Sequence, residues 1–246
     1  MHKKIFITGS SSGIGADIAK DLIACGHSVV INGRDEIKLE LAHKEMNSFD
    51  YVVGDFSSPS DINNYIDSAS NSLKGIDVLI CNVGSGKSVP PGSEDINEWN
   101  KVFDINFLSA TTSIECSRKH FNKDANIICI SSICGLEIIP GAPITYTVAK
   151  AALNAYVKGV SKPLGKEGIR INAIAPGNIL FPGSSWEEKR IKNPDAIKDM
   201  LKNSVPLNRF GQPEEVAKLV SFLISEEASF ITGSIFTIDG GQTSNI

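Results

Sequence analysis

Long apolar runs are missing from this sequence. No stretch of the 246 residues reaches the roughly 18 to 20 apolar residues that a membrane-spanning helix requires. The apolar run that follows Met1-His2-Lys3 is too short for the core of a secretory signal. Cysteine is scarce: Cys25, Cys81, Cys116, Cys129 and Cys134 are an odd number without a Cys-x-x-Cys pair. They predict reduced, mostly buried small apolar residues of a cytoplasmic protein rather than a disulfide framework. The four histidines, His2, His27, His43 and His120, lack metal-ligand spacing, so no metal is expected. An excess of positive charge is also absent. With 24 Lys and Arg against 28 Asp and Glu, the net charge is −4, which argues against nucleic acid or an anionic membrane as the main partner.

Short apolar, β-branched runs do occur, near residues 4–8, 28–32, 51–53, 77–81, 126–131, 169–174 and 235–238, with helical patterns between most of them. This alternation predicts an α/β chain in which one parallel sheet is covered on both faces, as a single domain over 1–246. Neither repeat nor linker is visible. The segment 177–208 reads as irregular and too long for a simple connection, which makes it a candidate lid over a substrate.

Two stretches carry chemistry. Ile127 to Ile130 reads as a strand buried on both faces, ending at Ser131 and Ser132. Beyond the turn Pro140-Gly141-Ala142-Pro143, a helix start places Tyr146 one turn before Lys150. A phenol ordinarily ionises near pH ~10. A neighbouring ammonium should lower that value, and the Ser132 hydroxyl could hold a substrate oxygen, making a proton-transfer site for a carbonyl or an alcohol. The second stretch is the first strand–helix turn, Thr8-Gly9-Ser10-Ser11-Ser12-Gly13-Ile14-Gly15. Its glycines let backbone N–H groups and the positive helix end approach a pyrophosphate.

The end of the second strand should select the cofactor. It reads Asn32-Gly33-Arg34 without a carboxylate, so Arg34 is expected to hold the extra phosphate of NADP(H), with NAD(H) the weaker fit. Asp55 and Phe56 follow the third strand, and Asn82, Val83 and Gly84 follow the fourth, at strand ends where such sheets bind ligands. Asn106 sits in a helical pattern between Phe103 and Phe107, an unusual place for an amide without a task.

Taken together, Thr8-Gly9-x-x-x-Gly13-Ile14-Gly15, Asp55, Cys81-Asn82-Val83-Gly84, Asn106, Ser132, Tyr146-x-x-x-Lys150, Pro176-Gly177 and Asp239-Gly240-Gly241 resemble the short-chain dehydrogenase/reductase family along essentially the whole chain. The resemblance implies a Rossmann-type doubly wound sheet of seven parallel strands and a homotetramer (or homodimer). It implies a tetrad in which Tyr146 is general acid in reduction and base in oxidation. Lys150 lowers the tyrosine pKa and binds the nicotinamide ribose, Ser132 orients the carbonyl, and Asn106 supports a proton-carrying water. Ser10, Ser12 and Arg34 would bind the phosphate end of the cofactor, with Pro176, Gly177 and Ile179 near the nicotinamide.

The chain departs from the family pattern in three places. Cys81 stands where an asparagine is usual, Phe181 replaces a threonine that meets the carboxamide, and Ser132 lies 14 residues before Tyr146, one more than in many relatives. The resemblance points first to reduction of a 3-oxoacyl thioester on an acyl carrier protein or coenzyme A. However, Glu167 stands where carrier-dependent reductases tend to have an arginine, and Arg118, Lys119 and Lys123 make only a weak basic patch. Phe181 and Trp186 in the lid, with Cys134 by Tyr146, would line the substrate pocket. A dehydrogenase of a sugar or other small hydroxy compound is the alternative. A nucleotide sensor without turnover is the alternative of another class.

Overall fold

The seven predicted strands form one parallel sheet in the order β3-β2-β1-β4-β5-β6-β7. They are β1 (Lys4–Ile7), β2 (Ser28–Gly33), β3 (Asp50–Val53), β4 (Ile76–Cys81), β5 (Phe121–Ile130), β6 (Arg170–Pro176) and β7 (Ile235–Ile238). The structure is a computed structural model and describes residues 2–244. Because successive strand side chains point to opposite faces, each apolar run feeds two cores. Ile5, Ile7, Ile128 and Ile130 go to one, while Phe6, Ile127 and Cys129 go to the other. Burying one such large side chain contributes about 1.5–3 kcal/mol, which is why continuous rather than alternating apolar runs mark these strands.

The first core is closed by α1 (Gly13–Ala24), α2 (Glu36–Met46) and α9 (Pro213–Ile224). The second is closed by α3 (Ile62–Leu73), α5 (Ser109–Ser117) and α6 (Ile144–Lys166). Strand order reverses between β1 and β4, so the connections that follow them part at the C-terminal edge and leave a crevice there.

Two segments differ from the sequence expectation. Between α4 (Ile96–Phe103) and α5 the chain widens into a π-helical turn over residues 104–108, with Asn106 inside it. Such turns cluster at functional sites. Residues 177–208 are not an irregular loop, because they contain α7 (Ser185–Lys192) and α8 (Pro194–Ser204). Neither helix buries a residue completely, so the apolar periodicity that reveals core helices is weak here. Their caps were nevertheless written in the sequence: Ser184 accepts from the Glu187 N–H, and Asn193 from the Ala196 N–H.

All five cysteines are free; Cys81 and Cys129 are buried, Cys116 and Cys134 half-buried and Cys25 exposed. The expectation of mostly buried thiols therefore holds for two of the five. Among the described residues no helix is long and apolar enough to cross a membrane, and no group of three or more His, Cys, Asp or Glu could hold a metal.

Candidate active site

A crevice of about 630 Å³ runs along the C-terminal edge of the sheet from Arg34 to Trp186. At one end lies the glycine turn. Gly9 and Gly13 have φ of 61° and 60°, left-handed backbone that glycine adopts without a steric cost. Gly15 allows a close approach, since a Cβ there would stand 2.5 Å from both the Gly9 carbonyl and the Asn82 amide. That amide donates to the Gly9 and Thr8 carbonyls at 2.7 and 3.2 Å, so Asn82 braces the turn besides bordering the crevice. Ser12, the N-cap of α1, makes no side-chain cap, and the first turn of the helix holds no acid. The positive helix end is thus open to an anion.

Ser10, expected among the cofactor ligands, does not border the crevice. It is fully buried, and its hydroxyl donates to the Ile7 carbonyl and accepts from the Asn32 N–H. The Asn32 side chain likewise fastens the turn, accepting from the Gly9 N–H and donating to the Val52 and Gly54 carbonyls. Phe56 turns its ring inward, 5.9 Å from Phe6 and 5.4 Å from Tyr65. Ser11, unremarked in the sequence, sits where Ser10 was expected. It lines the crevice, and its Oγ is 2.9 Å from where a Gly33 Cβ would be. Only register along the turn distinguishes three consecutive serines, and the bonds of Ser10 to Ile7 and Asn32 fix that register. Arg34 is exposed, 4.0 Å from the Asp55 carboxylate. Asp55 is held by the Ser57 N–H and hydroxyl, which keep its pKa low against the opposing effect of burial.

The reacting groups meet at the other end. Strand β5 delivers Ser131 and Ser132, and α6 delivers Tyr146 and Lys150. Ser131 is occupied, donating to Asn154 at 2.6 Å. Ser132 accepts from the Cys134 N–H at 3.1 Å, which leaves its own proton free for an oxygen in the crevice. Burial pushes the Tyr146 phenol up to about 12, and the Ser132 hydroxyl draws it partly back. Burial also pulls the Lys150 ammonium down to about 8.

The expected lowering of the phenol by Lys150 is therefore not what this arrangement produces. The Nζ lies 5.9 Å from the ring centroid and donates to the Ile130 carbonyl at 2.9 Å, so dehydration outweighs attraction. Asn106 stands behind this pair. Its Oδ1 accepts from the Ser85 N–H, and its Nδ2 donates to the Ser85 and Val102 carbonyls. Gly84 separates it from the lysine, because a Cβ there would lie 3.0 Å from Asn106 Oδ1 and 3.2 Å from Lys150 Nζ.

Pro176, Gly177 and Ile179 form the floor of this end, and Phe181 and Trp186, from the segment that contains α7, form one of its walls. The Phe181 ring covers the glycine turn, within 2.7 Å of a Gly13 Cβ position. Trp186 packs 5.6 Å from Phe210 and under Lys189. Cys134, expected in the substrate pocket, does not line the crevice, since the short helical turn over Ile133–Gly135 carries it behind Ser132. Lys87 and Ser85, not singled out in the sequence, do line it.

The uncapped helix end, the glycine cradle and the exposed Arg34 fit a dinucleotide phosphate. The residues around Tyr146, Lys150 and Gly177 fit its nicotinamide end.

Known proteins share this sequence pattern and this fold. A family model described as enoyl-(acyl carrier protein) reductase matches residues 9–243. The chain is 31% identical over 243 residues to the L-fucose dehydrogenase of Mus musculus, covering 97% of this chain and 88% of that one. It is 31% identical over 247 residues to a 3-oxoacyl-[acyl-carrier-protein] reductase of Aquifex aeolicus, covering 98% and 97%. The L-sorbose reductase of Gluconobacter frateurii, solved with NADPH and L-sorbose, superposes with a TM-score of 0.91 at 27% identity, covering 100% of this chain and 98% of that one. The chain belongs to the short-chain dehydrogenase/reductase family of oxidoreductases.

Proposed function

We propose that the chain is an NADP(H)-dependent reductase of a small polar oxo compound, with Tyr146, Lys150, Ser132 and Asn106 as its working groups. When bound, NADPH would supply the hydride, with Gly177 among the residues that would hold its nicotinamide end. The chain supplies the rest. Ser132 donates a hydrogen bond to the substrate oxygen and fixes it against the phenol. Tyr146 carries the proton that this oxygen needs, and with a pKa of about 12 it holds that proton at every physiological pH. The charged Lys150 stabilises the phenolate left behind, and Asn106 keeps the Ser85–Gly86 wall in place. A loaded phenol favours reduction at neutral pH, whereas oxidation would need it stripped.

The observation that carries the substrate reading is the lining of this end, with hydroxyls on Ser85, Ser132, Ser184 and Ser185 and the ammonium of Lys87. Segment 177–208 acts as the lid in this reading. The surface basic residues support it as well, because Arg118 pairs with Glu167 and Lys119 with Asp67. That leaves little positive charge for an acidic carrier. A 3-oxoacyl thioester is the second reading, favoured by the Aquifex aeolicus relative. Following NADPH consumption with short ketoses and oxo acids against 3-oxoacyl-coenzyme A separates them. Exclusive use of the thioester would sink the first reading, and tight NADPH binding with no turnover at all would favour a sensor.

The cofactor preference rests on Arg34. Because its ion pair with Asp55 is long and exposed, the guanidinium gives it up at little cost. Arg34→Ala is expected to raise the KM for NADPH about tenfold or more and leave that for NADH within about twofold, as befits a lost charge-assisted contact. Equal changes, read from initial rates with each cofactor, would refute the preference. A homo-oligomer belongs to the same reading. The exposed Phe222 on α9 and Phe230 in the segment before β7, 40% and 102% accessible, offer it a surface.

A further inference from the structure

Lys87 has no part in the family resemblance, yet the backbone on either side of it is tied down. Two residues before it, Ser85 is fixed in both directions by the buried Asn106 amide, at 2.9 and 3.1 Å. One residue after it, the Ser88 hydroxyl bonds at 2.7 Å to Thr145, which is fully buried at the head of α6. The neighbouring Gly86 faces the phenol, with a Cβ position 4.0 Å from the Tyr146 ring. The chain therefore carries the Lys87 ammonium to the substrate end of the crevice from a prepared backbone, and only its own side-chain torsions remain to be ordered.

The charges around it are unbalanced. Arg34, Lys87 and Lys150 are the cations that line the crevice, and Asp55 is the carboxylate. Arg34 and Asp55 lie together at the adenosine end, and Lys150 is buried on the Ile130 carbonyl. Lys87 thus faces the substrate end without a lining carboxylate opposite it. Its partner comes from the lid instead. Glu188 on α7, which does not line the crevice, accepts from Lys87 Nζ at 3.0 Å. Both side chains are half exposed or more, at 67% and 50%, so solvent screens the pair and a ligand can displace it.

We propose that Lys87 is a specificity-determining residue that binds a substrate carboxylate in place of Glu188, making the preferred substrates short oxo acids reduced to hydroxy acids. This rests on the reductase reading above. In the balanced reaction the oxo acid, NADPH and one proton give the hydroxy acid and NADP⁺, with hydride adding to the carbonyl carbon and the Tyr146 proton to its oxygen. The carboxylate takes no part in bond making. It orients the carbonyl, while Glu188 shows which chemical group the ammonium accepts.

The test compares matched pairs, each a short oxo acid and its methyl ester, in wild type, Lys87→Met and Glu188→Gln. Wild type is expected to prefer the acid. Lys87→Met should raise the KM of the acid about tenfold, as loss of a hydrogen bond to a charged group would, with the ester within about twofold. Glu188→Gln should lower the KM of the acid by removing its competitor. Both positions are exposed, and an unchanged melting curve verifies the fold. If acid and ester weaken together in both variants, the pair is only a latch for the lid and the proposal falls. A wild type that prefers the ester overturns it too. Failure of the underlying reading looks different, because neither compound is then turned over and Tyr146→Phe changes nothing.

Discussion

Replacing Tyr146 by phenylalanine is expected to lower kcat about 10² to 10⁴-fold, the range in which a positioned proton donor contributes, while NADPH binding and the melting temperature stay close to wild type. The reasoning starts from burial. A phenol held near 12 remains protonated, so its loss removes the proton source outright rather than shifting a pH optimum. Phenylalanine fills nearly the same space, and no hydrogen bond vital to the fold ends on the hydroxyl. Ser132 loses a neighbour but keeps the Cys134 N–H. Stopped-flow reduction of any accepted ketone, with fluorescence titration of NADPH, measures both sides. A variant that retains more than about a tenth of wild-type kcat would remove Tyr146 from the chemistry.

Lys150→Met should produce the opposite combination, a protein that is inactive yet more stable. In the folded chain burial lowers the lysine pKa to about 8 from the model-compound 10.5. Between those values the unfolded chain binds more protons than the folded one, so stability rises with pH over about 8 to 10.5, and below that window the buried ammonium is a burden. The gap corresponds to about 3 kcal/mol. Tyr146, raised by burial, acts in the other direction only above pH ~10, where the unfolded phenol ionises first.

Methionine has similar length and no charge. The variant is therefore expected to melt several degrees higher at pH 7, at about 2–4 °C per kcal/mol for a chain of this size, and to lose the rise in stability between pH 8 and 10. Turnover should drop at least about a hundredfold. In wild type, the rate of reduction should fall as pH climbs through about 8, when Lys150 gives up its proton. Calorimetry from pH 7 to 10 and a pH–rate profile check these outcomes. A melting point lowered at pH 7 would mean that the Ile130 contact outweighs the cost of burying the charge.

Tyr146 and Lys150 also show why activity and stability are set against each other here. The same dry surroundings that keep Tyr146 protonated make Lys150 costly to bury. Sites that tune a pKa accept such a penalty, which the two apolar cores on either side of the sheet offset.

By itself the sequence determined the architecture. Apolar runs without polar alternation mark strands buried on two faces, as β1, β2, β4, β5 and β6 are over most of their length, while the edge strands β3 and β7 are only partly buried. The helices between them favour parallel crossovers. The sequence also pointed to the residues of the proposed site, because glycines that adopt positive φ and a Tyr–Lys pair one helical turn apart are local features. Three matters were decided only by the tertiary structure. Which serine of the glycine turn faces the crevice depends on contacts from Asn32 and Ile7, far along or earlier in the chain, which bury Ser10 and expose Ser11. The sign of the shift at Tyr146 depends on how much water the fold removes, and a sequence carries no dielectric. Lys87 became visible only when the connection after β4 and helix α7, 101 residues apart at the Lys87–Glu188 contact, were brought to the two sides of one opening. Side chains that act across the sheet's edge are joined by long-range packing, and no periodicity within a short window encodes that.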